Sequence, residues 1–326
     1  MKTLVTGGHG FIGSHLCERL ITSGSSVRIL ARPESPLQNL TGIDVEVVRG
    51  DLNQPETLQA AVAGCTRIYH LAGALKGLHR DDLFRVNAEG TRNLAEAAAR
   101  YAPSLERFVY VSSLAAAGPS PGGSVPVTEE ASPRPVSWYG ESKLAGEEVV
   151  RSFKNLPWTI VRPPVVFGPR EKDLYTYFRI ARRGWLPVLG RRERHYSLIF
   201  GPDLADGIVR AAETPKAQGQ IYFISGPEAV GWGELGMRIA EALGVRGRVL
   251  RIPDFAGRLA GVVADVVARG KGRAEIFGGQ KVIEMLAPAW VCSPEKAERD
   301  LGWKSATPLS EALCRTVAWY RAHGWL

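Results

Sequence analysis

A chain of 326 residues, 45% hydrophobic and 23% charged, has the balance of a globular protein with room for one large α/β unit or two small domains, which excludes disordered and fibrous classes. Its formal net charge of +8 suits an anionic ligand, nucleic acid or an acidic membrane face and selects none of them. The densest basic run, Arg191-Arg192-Glu193-Arg194-His195, follows Arg179, Arg182 and Arg183; no aromatic platform or zinc spacing accompanies it, so no nucleic-acid partner is expected.

Cys17, Cys65, Cys292 and Cys314 are far apart and form no C-x2-C pair. No metal site is expected, and the four read as reduced residues of a cytoplasmic protein. Met1-Lys2-Thr3-Leu4-Val5 runs straight into a predicted strand without a signal-peptide layout. No uncharged apolar run reaches the roughly 18 residues of a bilayer span, so integral membrane association is not expected.

In chain order, Leu4-Val5 reads as a short buried strand and residues 11–23 as a helix. Val27-Arg28-Ile29-Leu30 and Val45-Glu46-Val47-Val48 are the next strands. Asn53 with Glu56 three residues on predicts a capping box opening a helix over 54–63. Ile68-Tyr69-His70-Leu71 is a fourth strand, residues 88–101 an alanine-rich helix, and Phe108-Val109-Tyr110-Val111 a fifth strand. Residues 118–135 read as a surface loop, 138–152 as a helix, and Trp158-Thr159-Ile160-Val161 as a sixth strand.

Beyond Pro163-Pro164 the pattern predicts a basic helix over 173–184, a strand at 197–200, a helix capped by Asp203 through Ala212, and a strand at 220–224. Further helices are expected from Gly231 to Leu243, over 255–269 and over 310–323. Strands alternating with helices of about 10–15 residues predict an α/β, doubly wound parallel sheet, the Rossmann arrangement, with a small discontinuous C-terminal substrate lobe. The expected division is a dinucleotide-binding domain at 1–165, with 197–225 returning to it. Residues 166–196 and 226–326 are then mainly substrate lobe and C-terminal helices.

Thr6-Gly7-Gly8-His9-Gly10-Phe11-Ile12-Gly13 follows the first strand and opens the first helix. Gly7 would permit the tight turn, Gly10 the approach of a pyrophosphate, and Gly13 close helix–strand packing, with the anion against unpaired helix amides. The second strand ends in Leu30-Ala31-Arg32 with no acidic residue before Glu34. Arg32 as a partner for a 2′-phosphate makes NADP(H) the expected cofactor and NAD(H) the alternative. Asp51-Leu52 is placed to cover the adenine, and Ala72-Gly73 to pass near the centre of the cofactor. Asn87 reads equally as a cleft residue and as the N-cap of the alanine-rich helix.

Tyr139 and Lys143 stand four apart on one face of a predicted helix, downstream of a strand ending in Ser112-Ser113. Together with Gly50-Asp51-Leu52, His70-Leu71-Ala72-Gly73, Asn87-Ala88-Glu89-Gly90-Thr91, Tyr139-Gly140-Glu141-Ser142-Lys143 and Arg162-Pro163-Pro164, these motifs make nearly the whole chain resemble an extended short-chain dehydrogenase/reductase. That group contains nucleotide-sugar epimerases and dehydratases, dihydroflavonol reductases and 3β-hydroxysteroid dehydrogenases. The resemblance implies that Ser113 is the catalytic hydroxyl, Tyr139 the acid/base and Lys143 its partner, with Ser112 structural. It also places Phe11, Ile12, Tyr139, Lys143 and Pro163 among the cofactor contacts.

In a reductase of this kind Tyr139 would give a proton to the carbonyl oxygen as hydride reaches its carbon, Ser113 would hold the developing alkoxide, and the Lys143 ammonium would favour ionised Tyr139. Ser113 is followed by Leu114-Ala115-Ala116-Ala117-Gly118, without the Tyr-Gly pair of many nucleotide-sugar enzymes. The expected activity is therefore NADPH-dependent interconversion of a carbonyl and a secondary alcohol on a small, moderately apolar metabolite. A nucleotide-sugar epimerase or dehydratase with tightly bound NAD is the alternative, and a non-catalytic dinucleotide-binding scaffold a further one. A homodimer fits the resemblance.

Phe255, Leu259, Val262, Val263, Val266 and Val267 fall in helical register. Packing against the main domain is the first reading of that stripe, with covering an apolar substrate or docking on a membrane as alternatives. Arg182, Arg183, Arg191, Arg192 and Arg194 read as a solvated face, or in the nucleotide-sugar alternative as a diphosphate site.

Overall fold

The computed structural model describes residues 1–123, 125–275 and 277–326; Ser124, inside the expected 118–135 loop, and Ile276 lie outside the described residues. The first half alternates as expected: β1 (Lys2–Thr6), α1 (Phe11–Thr22), β2 (Ser26–Ala31), β3 (Glu46–Arg49), α2 (Leu58–Val62), β4 (Arg67–His70), α3 (Arg80–Phe84), α4 (Gly90–Tyr101) and β5 (Arg107–Val111). It continues with α5 (Leu114–Ala117), α6 (Trp138–Ser152) and β6 (Trp158–Arg162). The remainder is β7 (Val165–Phe167), α7 (Tyr175–Ala181), β8 (Trp185–Leu189), β9 (His195–Phe200), α8 (Gly201–Glu213), β10 (Ile221–Phe223), β11 (Ala229–Gly231), α9 (Trp232–Leu243) and β12 (Arg248–Ile252), then α10 (Asp254–Gly270), α11 (Gly279–Leu286), α12 (Glu295–Leu301) and α13 (Leu309–Ala322).

Seven strands form one parallel sheet in the order β10-β6-β5-β4-β1-β2-β3. The direction of winding reverses between β1 and β4, which opens a crevice beyond the carboxyl ends of those strands where such sheets bind ligands. Successive strand residues face opposite sides. Leu4, Ile68, Phe108 and Ile160 pack beneath α2, α4 and α6, while Val5, Tyr69, Val109 and Val161 pack against α1 and α8 with Trp303. Both faces are thus covered, which is why the strands read as continuous apolar runs.

A smaller sheet, β11-β9-β7, and a parallel pair, β12-β8, build the second lobe. Its core joins Phe167, Phe178, Leu186, Ile239, Leu313 and Tyr320 from α7, α9, α13 and the short strands. Residues of the 197–225 segment divide between the lobes: β9 pairs with β7, whereas β10 pairs with β6 at the edge of the main sheet. Among the described residues no helix is long and apolar enough to cross a membrane.

Three helix boundaries differ from expectation for local reasons. Asn53 does not cap a helix over 54–63; its N–H donates to Asp51 Oδ1 at 2.9 Å, a single turn at Pro55–Thr57 follows, and α2 starts at Leu58. Aspartate-centred turns compete with helix in this way. Asp203 lies inside α8, where it accepts hydrogen bonds from Ser305, from the Thr307 hydroxyl and from the Thr307 N–H. The basic helix is shortened to α7 because the Glu171 carboxylate gathers the N–H groups of Asp173, Leu174 and Tyr175. Cys17, Cys65 and Cys292 are buried, and burial pushes the Cys17 and Cys292 thiols up to about 12.

The turn after β1 depends on absent side chains. Gly7 has φ +70°, and a Cβ on Gly13 would stand 2.1 Å from the Gly7 carbonyl oxygen. Because that neighbour is backbone, accommodation requires α1 to shift off β1. Gly13→Ala is therefore expected to lower the urea midpoint by an amount equivalent to about 1–3 kcal/mol, with loss of dinucleotide binding; an unchanged midpoint would show that the turn is not close-packed.

Candidate functional site

The glycine turn closes with Gly10 N–H donating to Gly7 O at 3.0 Å, and α1 begins at Phe11 with no side chain capping it. Its first amides are consequently free to meet an anion. A Cβ on Gly7 would lie 2.8 Å from the Ala72 nitrogen, and one on Gly73 2.9 Å from Asn87 Oδ1. Both glycines thus let neighbouring segments close on the turn, and the uncapped amides at the start of α1 fit the pyrophosphate of a dinucleotide. Phe11 itself turns to the other side of the helix, with its ring edge-on to His15 at 5.6 Å and beside Gly201. Ile12 packs at the margin of the core below.

A buried chain of hydrogen bonds ties this turn to the rest of the cleft. Thr6 Oγ1 meets His70 Nδ1 at 2.7 Å, His70 Nε2 meets Thr91 Oγ1 at 2.9 Å, and the Thr91 hydroxyl donates to Asn87 O at 2.7 Å. Burial pushes His70 down to about 3, so it is neutral and serves as a hydrogen-bond link. Asn87 is not a helix N-cap: it lies in a wide helical turn, Arg85–Glu89, continuous with α4. Its side chain accepts from Ala74 N at 2.7 Å and donates to Ala74 O and Ser142 Oγ, both at 2.9 Å. Of its two readings, the structure removes the helix cap.

Beyond β2 and β3, Leu52 is buried against Gly90. Asp51 is held by its own turn, its N–H donating to Thr57 Oγ1 at 3.1 Å. Arg32 extends into solvent, with its side chain 60% exposed and paired with Glu34 at 3.2 Å. Its carbonyl accepts from Arg49 at 2.8 Å.

Ser113, Tyr139 and Lys143 meet at the carboxyl end of β5. Ser113 caps α5: its Oγ accepts from Ala115 N at 3.1 Å, leaving the hydroxyl proton to be donated elsewhere. The Pro163 carbonyl accepts from Leu114 N at 2.8 Å and holds the start of α5 against the end of β6. Gly146 lets α6 approach this closely, since a Cβ there would sit 2.2 Å from the Tyr110 hydroxyl and 2.5 Å from Asn87 O. The Tyr139 phenol is pushed up to about 12, chiefly by burial, with a hydrogen bond to Ser113 acting against that and Glu284 adding to it.

Lys143 differs from its expected action. Its ammonium donates to Val111 O at 2.8 Å and lies 4.3 Å above the Tyr110 ring. Burial pushes it down to about 7, while Glu147 pulls upward. In this arrangement burial dominates both groups and Tyr139 is a protonated acid at neutral pH.

Behind Lys143 stands a buried cluster that the sequence reading missed. Glu147 accepts from Arg162 Nε at 2.9 Å and Nη2 at 2.6 Å, and from Ser112 Oγ. Only the position of Glu147, one helical turn beyond Lys143 on the same face, signalled it. A second unforeseen clamp is Arg170, whose guanidinium binds Glu18 and Ser14 on α1. Among the described residues no group of three or more His, Cys, Asp or Glu side chains gathers as a metal site.

Residues 3–225 match the model of the NAD dependent epimerase/dehydratase family. Across its whole length the chain is similar to the ceramide reductase of Caulobacter vibrioides, with 34% identity covering 99% of this chain and 95% of that protein. Its fold is similar to the crystal structure of gox2253 (TM-score 0.83, 29% identity, 99% of each chain). It is also similar to DesIV, a dTDP-glucose 4,6-dehydratase from Streptomyces venezuelae with NAD and TYD bound (TM-score 0.81, 24% identity, 100% of this chain and 98% of that one).

The comparison corrects the expected NADP(H) preference. DesIV and other matched complexes of this fold carry NAD, and the residue on which the preference rested, Arg32, is solvated and paired with Glu34.

Two outcomes follow from the site. Between about pH 7 and 10.5 the unfolded chain holds a proton on Lys143 that the folded chain has lost, so this group's contribution to stability rises with pH across that window. The unfolding free energy of the wild type minus that of Lys143→Met should increase from pH 7 towards 9.5; a flat or falling difference would contradict the burial argument. Glu147→Ala leaves the Arg162 guanidinium buried and unpaired, and should cost about 3–5 kcal/mol in chemical denaturation, most of it recovered in Glu147→Leu/Arg162→Met.

Proposed function

The chain belongs to the NAD dependent epimerase/dehydratase family, and on that footing we propose that it reduces a carbonyl to a secondary alcohol, or the reverse, on an apolar, lipid-like substrate with NAD(H). Membership makes it an NAD(P)-dependent enzyme of the oxidoreductase or epimerase–dehydratase kind acting on small metabolites. The observation that carries the finer reading is full-length similarity to a protein named for reducing a ceramide. The surroundings of Tyr139 agree with it: the ring packs at the edge of an apolar cluster containing Leu114, Ala115, Tyr196, Trp290 and Cys292.

Part of the basic run is already engaged within the protein. Arg194 is turned inward onto Leu189 O at 2.7 Å, and Arg251 occupies the Arg191 carbonyl and the Glu193 carboxylate. Within the family this reading sets the chain beside dihydroflavonol-reductase- and 3β-hydroxysteroid-dehydrogenase-like members. It assigns the cofactor to residues 1–165 with the 197–225 return, and the substrate mainly to 166–196 and 226–326.

The amides of the glycine turn and the first turn of α1 would hold the pyrophosphate, with Asp51 and Leu52 at the adenine and Ala72, Gly73 and Asn87 along the middle. Bound dinucleotide supplies or accepts the hydride. Tyr139 gives its phenolic proton to the carbonyl oxygen, for which a pKa raised to about 12 keeps it charged with a proton at neutral pH. Ser113 keeps its proton and directs its free hydroxyl as a hydrogen-bond donor to the same oxygen, where negative charge develops. Lys143, anchored on Val111 O, fixes the face of α6 that presents Tyr139. In the oxidation direction these proton movements reverse.

The second reading, internal redox on a nucleotide sugar, is favoured by the fold likeness to sugar-nucleotide enzymes with NAD. Freshly purified protein separates the two. The reductase reading expects an empty site that binds added NADH and oxidises it with a long-chain ketone. Stoichiometric NAD carried through purification, with turnover of a nucleotide sugar and none of the ketone, would replace it. Tyr139→Phe should lower ketone reduction by about 10²–10⁴-fold while NADH binding is retained; unchanged turnover would remove Tyr139 from proton transfer.

A further inference from the structure

The apolar stripe on α10 faces away from the protein. Phe255, Leu259, Val262, Val263, Val266 and Val267 are between 46% and 73% exposed, whereas the buried residues of this helix are Gly257, Gly261 and Ala268. At about 100° per residue the six large side chains span an arc of roughly 140°, opposite the three small ones. Small residues make the inner contact: a Cβ on Gly257 would lie 2.3 Å from Leu189 Cδ1, and one on Gly261 2.9 Å from Val282 Cγ2. Burying the small face and exposing the large one reverses the usual arrangement of a surface helix, and an exposed apolar face of this kind marks an interaction site.

The charge around the stripe identifies the occupant. From 246 to 273 the chain carries Arg246, Arg248, Arg251, Arg258, Arg269, Lys271 and Arg273 against Asp254 and Asp265, a net +5. Arg258 and Arg269 lie at one edge of the arc and are exposed. The two aspartates are drawn off the outer face: Asp265 accepts from Gly279 N at 3.1 Å, and Asp254 stands 3.9 Å from Arg194. A second copy of the chain would bring like-charged arginines together across a two-fold contact. An apolar arc with cations along one edge instead suits an anionic bilayer, with the side chains in the acyl boundary and the arginines at the phosphates.

We propose that α10 docks this protein on the surface of an anionic lipid membrane, lying in the interface without crossing it. Its place in the fold gives the docking a consequence. α10 packs on α11, and α11 holds the start of α6, where Gln280 Oε1 accepts from Trp138 N at 2.9 Å and Glu284 Oε1 accepts from the Ser137 hydroxyl at 2.6 Å. The docked face is therefore joined through one helix to the turn that presents Tyr139. The docking surface stands independently of the substrate proposed above, and its test reads binding alone.

The test is co-flotation of the full chain with phosphatidylcholine vesicles, with and without phosphatidylglycerol, alongside sedimentation of the free protein. The protein should partition onto the phosphatidylglycerol vesicles and be released by salt. Leu259→Asp/Val263→Asp should weaken partition by at least about tenfold without changing thermal unfolding or NADH binding. Arg258→Glu/Arg269→Glu should remove the dependence on phosphatidylglycerol. Failure of the wild type to float, or flotation undiminished in both variants, would overturn the proposal. So would a dimer that Leu259→Asp/Val263→Asp splits into monomers, since a second copy would then own the face.

Discussion

Glu147 and Arg162 put opposite charges in a place without water, 0% and 2% exposed, and the alignment of the site depends on that pair. Two hydrogen bonds join them, and the Ser112 hydroxyl adds a third to the same carboxylate. One carboxylate thereby ties α6 to the ends of both β5 and β6. Buried pairs of this kind add little net stability, because desolvation offsets their attraction. What they do enforce is position: a helix that slid by one residue would strand both charges. Tyr139 and Lys143 stand on that helix and Ser113 directly follows Ser112, so one buried pair sets the distances among the three side chains of the proposed site.

The dinucleotide half has an analogous constraint built from neutral groups. The run Thr6, His70, Thr91, Asn87 crosses from the glycine strand to β4 and on to the wide turn before α4. Asn87 then reaches Ser142 on α6. Burial keeps His70 uncharged, so each member both gives and receives within a low-dielectric interior, where an unmet group would be costly. The two networks converge on α6, one from the floor of the cofactor cleft and one from behind Lys143. The crevice at the reversal of the sheet is thus tied to α6 by side chains as well as by chain connectivity.

The first six strands and the glycine turn were legible because each is a local pattern: a short apolar run, a special dihedral, a helix start. Tyr139 and Lys143 were legible by spacing on one face. β7, β8, β11 and β12 were not, since strands of three to five residues that pair across long sequence separations leave no period to read. Asn87 was ambiguous in one dimension because a cleft amide and a helix cap call for the same residue type; the continuous helical path through Arg85–Glu89 into α4 removes the cap. Arg32 misled for a related reason. A guanidinium at the end of the second strand resembles an anion partner until its nearest carboxylate, two residues along on Glu34, is seen to face it. The pairing of Ser112 with Glu147 across 35 residues lies beyond any local rule.

Close approach by small residues explains both the cleft and the outer helix. Gly13 lets α1 close on the backbone of the turn after β1, and Gly146 lets α6 close on the Tyr110 hydroxyl of β5 and the Asn87 carbonyl; in both places the missing side chain permits the approach. On α10 the same device, Gly257 and Gly261 against Leu189 and Val282, seats a helix without using its large apolar residues. Periodicity correctly marked 255–269 as amphipathic, but hydrophobic weight pointed to the wrong face, because the packed side was written in glycine and alanine. A helix can turn its valines outward only when its inner contact is satisfied by something smaller. The stripe of Gly257, Gly261 and Ala268 is therefore as much a part of the exposed surface's origin as Phe255 and Leu259 are.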